Sequence, residues 1–246
     1  MTRTALFDTP FRRSAVGAAL AATLLTAALP AAHADVLDFE GYANVQLGHN
    51  QQLTYGNFVL TGYSNDPDAW DGDAAGVVVE GADPGVCVNL ACPTNGSGNY
   101  YAGLNDSVLF MSSAHAGQRL RVSGFDASFI GSVAGATYPA LAGFLRVQGF
   151  YAGGGSFYED YLFPGGAHGF GFQHFTASAA FAGKEFAEVA FFGFNCGATG
   201  ACSAFNSNKG QFALDNVIAS VPEPSSALML MLGLGALAAF ARRRRA

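Results

Sequence analysis

The run Asn65-Asp66-Pro67-Asp68-Ala69-Trp70-Asp71-Gly72-Asp73 holds the densest set of ligand-type side chains in the chain. Asp66, Asp68, Asp71 and Asp73 crowd four carboxylates together. Calcium takes about six to eight oxygen ligands of this kind, and an ion would relieve their mutual repulsion. The spacing is not that of an EF-hand, because the acidic positions are out of register with Gly72. Asp, Asn, Gly and Pro are also the residues of a solvated turn, and composition favours the turn over a calcium loop. Trp70, the single tryptophan, stands inside the run. An indole face can stack on a sugar ring. The competing role, which we favour, is an aromatic plug over the edge of the core.

Other reactive residue types form no catalytic set. Glu159 and Asp160 lie beside Tyr158 and Tyr161, close to Gly153-Gly154-Gly155. Adjacent residues of a strand point to opposite faces, so this pair cannot converge as acid and base. An exposed hairpin is expected there. His49, His115, His168 and His174 are scattered, with no His-Glu-x-x-His pattern for zinc. Ser123 and Ser132 lie in no Gly-x-Ser-x-Gly elbow. No glycine loop of phosphate-binding type precedes a helix pattern. The four cysteines fall into two close pairs, Cys87/Cys92 and Cys196/Cys202. Local disulfides cost the least loop entropy. A four-cysteine zinc site is the weaker alternative, since the spacings are loose and an oxidising compartment disfavours thiolates.

The elements that must carry these residues are strands. Glycine (32), phenylalanine (22) and tyrosine (9) are spread among short apolar runs. The pattern predicts strands at Val36–Glu40, Gln52–Tyr55, Asn57–Tyr63, Gly76–Glu80, Ser107–Ser112, Arg119–Ile130, Leu141–Tyr151, Phe157–Phe163, Phe170–Ala177, Phe186–Phe194 and Gln211–Ala219. Leu120-Arg121-Val122-Ser123-Gly124-Phe125 alternates apolar and polar residues, and Leu145-Arg146-Val147-Gln148-Gly149-Phe150 repeats the pattern 25 residues later. That repetition predicts similar strands side by side. The best helical candidate, Thr176 to Glu188, is interrupted by Gly183 and reads as a strand end and a turn. The expected fold is all-β: a two-sheet antiparallel β-sandwich, jelly-roll-like, over residues 35–220.

Both ends lie outside that domain. Arg3, Arg12 and Arg13 precede an apolar stretch from Ala15 to Pro30 and then Ala32-His33-Ala34. This is a signal peptide over residues 1–34, with cleavage expected after Ala34. Residues 221–246 contain Pro222-Glu223-Pro224, an apolar run from Ala227 to Ala241, and Arg242, Arg243, Arg244 and Arg245. The prolines stop any helix continuing from the domain. The apolar run is short for a transmembrane helix, and the arginines would hold its end at the cytoplasmic face of the inner membrane. With the ends set aside, residues 35–220 keep five Lys and Arg against sixteen Asp and Glu, a net charge of −11. Such a surface repels nucleic acid and anionic lipid.

Pro222-Glu223-Pro224, the apolar run and the arginine cluster together resemble the PEP-CTERM sorting signal. Gln211-Phe212-Ala213-Leu214-Asp215-Asn216-Val217 is similar to the motif of the QFxxD group of such proteins. The resemblance implies export, an exosortase-type enzyme of the inner membrane as partner, transient membrane residence through the C-terminal helix, and delivery to the cell surface or extracellular matrix. It implies no reaction.

The opening Val36-Leu37-Asp38-Phe39-Glu40 and the closing Phe212 to Val217 are candidate partner strands. Here the chain resembles extracellular jelly rolls of carbohydrate-binding and adhesion modules, whose terminal strands lie together and share a calcium ion. The resemblance implies a second calcium set, Glu40, Asp215 and Asn216, with capping of strand ends as the competing role. The expected function is that of a non-catalytic surface or matrix protein, acting through extracellular polysaccharide association or adhesion. The alternative is an exported glycan-active enzyme on the same scaffold. A matrix filler without a specific ligand is a lesser third reading.

Overall fold

The computed structural model describes residues 34–81, 84–96, 98–165, 169–221 and 233–235. The chain divides into a body spanning His33–Pro222 and a second one formed by residues 1–32 and 223–246. Residues 1–33 of the expected signal peptide, Pro222-Glu223-Pro224 and Arg242 to Arg245 lie outside the described residues. Of the expected apolar helix only residues 233–235 are described, and they are helical. Among the described residues no helix is long and apolar enough to cross a membrane.

The larger body is the expected β-sandwich, with two antiparallel sheets of seven strands each. The first sheet contains β1 (Asp35–Leu37), β2 (Gln46–Gly48), β5 (Ala74–Glu80), β6 (Asn99–Gly103), β8 (Arg121–Phe129), β11 (Gln173–Thr176) and β14 (Phe212–Ser220). The second contains β3 (Gln52–Tyr55), β4 (Phe58–Tyr63), β7 (Val108–Ser113), β9 (Leu141–Phe150), β10 (Ser156–Pro164), β12 (Glu188–Cys196) and β13 (Cys202–Ser203). The orders are β11-β8-β14-β6-β5-β2, with β1 added to β14, and β10-β9-β12-β7-β4-β3, with β13 added to β12. From β6 onward the chain crosses repeatedly from sheet to sheet, as in a jelly roll.

Alternation drives this arrangement. In β9 the inward Leu145 and Val147 are buried, while Phe144, Arg146 and Gln148 between them face outward. Rings from both sheets fill the core: Phe125 of β8 meets Phe191 of β12 and Tyr161 of β10 edge to face, at 6.0 and 4.8 Å. Glycine makes room where rings must lie against backbone. A Cβ on Gly149 would stand 2.3 Å from the Phe186 ring.

Two expectations need correction. The similar hexamers fall in β8 and β9, which belong to different sheets, so they face each other across the core and are not side by side. Their shared pattern reports one buried face each and carries no pairing information. The segment after β11 is also more than a turn. Ser178 caps a single helical turn, α1 (Ala179–Ala182), by accepting from the Phe181 N–H, and Phe181 is fully buried.

Both disulfides are local, Cys87–Cys92 and Cys196–Cys202. Asp106, fully buried, pins the loop before β14 by accepting from the backbone N–H groups of Ser207, Asn208 and Gly210.

Candidate functional site

The first and last strands of the sandwich pair as expected, with Asp35, Val36 and Leu37 opposite Ala219, Ile218 and Val217. Just past β1, Phe39 adopts a positive φ of 58° and is fully buried against Tyr101, at 6.1 Å. That backbone turn leaves the flanking Asp38 and Glu40 side chains outside the core. Glu40 accepts from the Asn99 N–H at 3.1 Å, and Asn99 Nδ2 returns bonds to the carbonyls of Phe39 and Glu40. Gly98 permits this, because a Cβ there would fall on the Glu40 carboxylate.

On β14 the register slips between Asp215 and Ile218, and Asn216 takes a φ of 48°. A bulge of this kind re-aims side chains locally. Asp215 stands directly across from Asp126 of β8. Asn216 joins them: its Nδ2 donates to Asp126 at 2.9 Å and to Asp215 at 3.2 Å, and its backbone N–H donates to Asp215 at 2.7 Å. On its other side Asp126 meets His174 Nδ1 of β11 at 2.8 Å. Asn95 closes the rim through a reciprocal pair of bonds with the Phe172 backbone.

These residues line a cleft of about 310 Å³: Glu40, Asn95, Asp126, Phe172, Asp215 and Asn216, with the backbone of Gly96 and Gly98. Burial first, and then the negative charges of Asp126, Glu40 and Asp38, push the Asp215 carboxyl up to about 7, against the opposing bond from the Asn216 N–H. The site can therefore present carboxylates, a neutral acid and amide groups toward one concavity.

Glu40, Asp215 and Asn216 are thus brought together. Asp126, Asn95 and His174 join them, although nothing in local composition singles them out. Among the described residues no group of three or more His, Cys, Asp or Glu is arranged to hold a metal ion.

The acidic run is built differently. Asp66 accepts from the Asp68 N–H, Asp73 from the Trp70 N–H and Asp71 from Asn50 Nδ2. The first two are self-capping bonds of a turn, and the third ties the turn to the segment before β3. Trp70 is 80% exposed, which corrects the expectation that it plugs the core edge. The turn's own hydrogen bonds hold its backbone, so the indole is not needed as a cover.

Glu159 and Asp160 diverge as adjacent strand residues must. Asp160 grips Arg146 through two bonds, at 2.7 and 2.8 Å. Glu159 turns the other way, to Tyr161 and to Ser178 ahead of α1. Burial opposes its ionisation, but the bonds from Ser178 and Tyr161 outweigh burial and hold its carboxyl below the usual range. His49 accepts from the Ser64 N–H and His115 faces Asn57, so neither adds to the cleft. His168 lies outside the described residues.

Comparison with known proteins identifies the tail. The family model of the PEP-CTERM protein-sorting motif matches residues 220–245. No curated protein matches the chain. Among solved structures, the chain is similar to the enzymatically active domain of tailspike protein 4 of bacteriophage CBA120, at 15% identity and a TM-score of 0.28. The match covers 73% of this chain and 21% of that one, so the chain spans about a fifth of the length of that structure.

Proposed function

We propose that this PEP-CTERM protein acts outside the cell as a non-catalytic surface or matrix protein, associating with extracellular polysaccharide through the cleft beside β1 and β14. The sorting motif marks the chain as exported, and implies processing by an exosortase-type enzyme and sorting to the surface or extracellular space. The observation that carries the binding reading is the cleft itself. Asp126, Asp215, Asn216 and Asn95 offer acceptors and donors at close quarters, and Phe172 supplies an apolar wall. Sugar hydroxyls both donate and accept, so this mixture suits them, whereas an anionic ligand meets the carboxylates of Glu40 and Asp126. Glu40 and Asp126 are already hydrogen-bonded into the scaffold, which supports recognition over proton transfer. Membership of the QFxxD group is part of the proposal. In it, Phe212 anchors β14 in the core and Asp215 reaches the cleft.

The glycan-active alternative is favoured by one observation. Asp215, pushed up to about 7, lies opposite a second carboxyl, Asp126, and glycoside hydrolysis uses a pair of carboxyls of which one is an acid raised in this way. One experiment separates the readings. The purified protein is sedimented with the producer's own polysaccharide, with and without added calcium. Retention that falls in Asp126→Ala and Asn216→Ala supports the binding role. Release of soluble sugar, abolished by Asp215→Asn, establishes the enzyme instead. Absence of retention under both conditions refutes polysaccharide association. Calcium-dependent retention would identify an ion as part of the contact.

A further inference from the structure

The two outer faces of the sandwich are treated differently. Over the first sheet, Val79, Tyr100, Ala102, Ile130 and Ala213 form an apolar cluster covered by the chain's own segment containing Leu90 and the Cys87–Cys92 disulfide. The outer face of the second sheet is also aromatic: its middle, Val108, Ala190 and Phe192, is buried, with Ala204 packed against it and the Phe205 ring 5.1 Å from Phe192, whereas toward β10 it opens to solvent. Tyr63, Val108, Phe192, Arg146 and Asp160 stand opposite one another across five strands. In the next row Phe194 stacks on Phe144, with centroids 4.2 Å apart and planes 16° from parallel. Tyr63, Tyr158 and Leu162 remain 42%, 51% and 58% exposed. The outward face of a sandwich sheet is ordinarily polar, and Tyr158 and Leu162, exposed beside the Phe144–Phe194 stack at the β9–β10 edge, form an apolar patch of the kind that marks an interaction surface.

Charge decides what can sit there. The Arg146 guanidinium lies 3.9 Å from the Tyr158 ring and 4.9 Å from that of Phe194, and Asp160 cancels its charge through two bonds. The centre of the face is therefore neutral, on a domain whose net charge is −11. A second copy brings the same negative charge and is repelled, as is an anionic polymer. A cationic polymer would be drawn to the uncompensated carboxylates of the 66–73 turn and away from this face. A neutral polymer carries no such cost. Its apolar ring faces can lie against Tyr158 and Leu162, and its hydroxyls can bond Arg146, Asp160 and Gln148.

We infer that this outer face is a second contact surface for polysaccharide, selective for uncharged polymer and separate from the cleft. The inference rests on the proposed polysaccharide association but not on the cleft as its site. The test is sedimentation of the full exported protein with microcrystalline cellulose as a neutral probe, alginate as an anionic one, and the producer's own polysaccharide. Wild type is compared with Tyr158→Ala, Leu162→Ser and the cleft variant Asn216→Ala, each checked by thermal melting. The expected result is retention on cellulose, reduced about tenfold by Tyr158→Ala and left intact by Asn216→Ala. Wild-type binding to the producer's polysaccharide but not to cellulose overturns the inference and spares the proposed function. Undiminished cellulose retention in both face variants overturns it as well. So does preferential retention on alginate, or a wild-type dimer in sedimentation that Tyr158→Ala dissociates.

Discussion

Replacing Asp215 with Asn removes one charge from the cleft without changing side-chain shape, and its effect should reverse with pH. In the unfolded chain the Asp215 carboxyl titrates near its ordinary 3.8, while in the fold burial and the charges of Asp126, Glu40 and Asp38 push it to about 7. Below about pH 3 the group is protonated in both states and costs the fold nothing, and at pH 4 it still costs little. As pH rises toward 7 the unfolded chain ionises freely while the folded one resists, so stability is lost over that window. Above 7 the loss is complete. Taken at face value, the shift amounts to roughly 4 kcal/mol. Asp215 is only half-buried, and water screens its neighbours, so the expected share is about 1 to 2 kcal/mol. For a domain of this size that is about 4 °C in melting temperature. Thermal melts of wild type and Asp215→Asn at pH 4 and pH 8 read it directly. The variant should melt about 4 °C higher at pH 8 and scarcely higher at pH 4. Glu188, whose carboxyl is also raised by burial, is common to both proteins and cancels. An equal gain at both pH values, or none at pH 8, would refute the argument from crowded charge.

Three further outcomes are expected. Asp106→Ala leaves the N–H groups of Ser207, Asn208 and Gly210 without their acceptor, and should cost about 3 kcal/mol or more in urea unfolding. Gly149→Ala places a methyl against the Phe186 ring and should cost about 1 to 3 kcal/mol through overpacking, read in the same assay. Replacing Cys196 and Cys202 together by Ser opens a short loop, and should lower stability by about 2 kcal/mol in a melt compared with the oxidised parent.

The strands most plainly legible in the sequence have one wet face and one dry face, although β5 and β12, buried on both faces, are also located from their apolar runs. Leu141–Phe150 and Gln52–Tyr55 announce themselves because alternation is what a half-exposed strand requires. β6 does not, since every residue of Asn99–Gly103 is buried and the period is lost beneath the covering segment. β2 and β13, at three and two residues, are too short to show a pattern at all. The seam of the first and last strands was expected through resemblance to jelly rolls whose terminal strands carry such acidic residues. Asp126 was not, because a single aspartate within a strand gains meaning only when register sets it across from Asp215. Trp70 shows the opposite failure: its size argues for burial, whereas the turn around it satisfies its own polar groups.

β14, which runs directly into the sorting segment, is hydrogen-bonded along both edges, by β8 on one side and by β6 and then β1 on the other. A pull on its far end therefore strains many ladder bonds at once in a sliding direction, instead of unzipping them singly. If the protein is held by its tail while a fixed polymer drags on its body, the tension enters through a ribbon gripped along both edges. Such a pendant should detach from its ligand before it unravels.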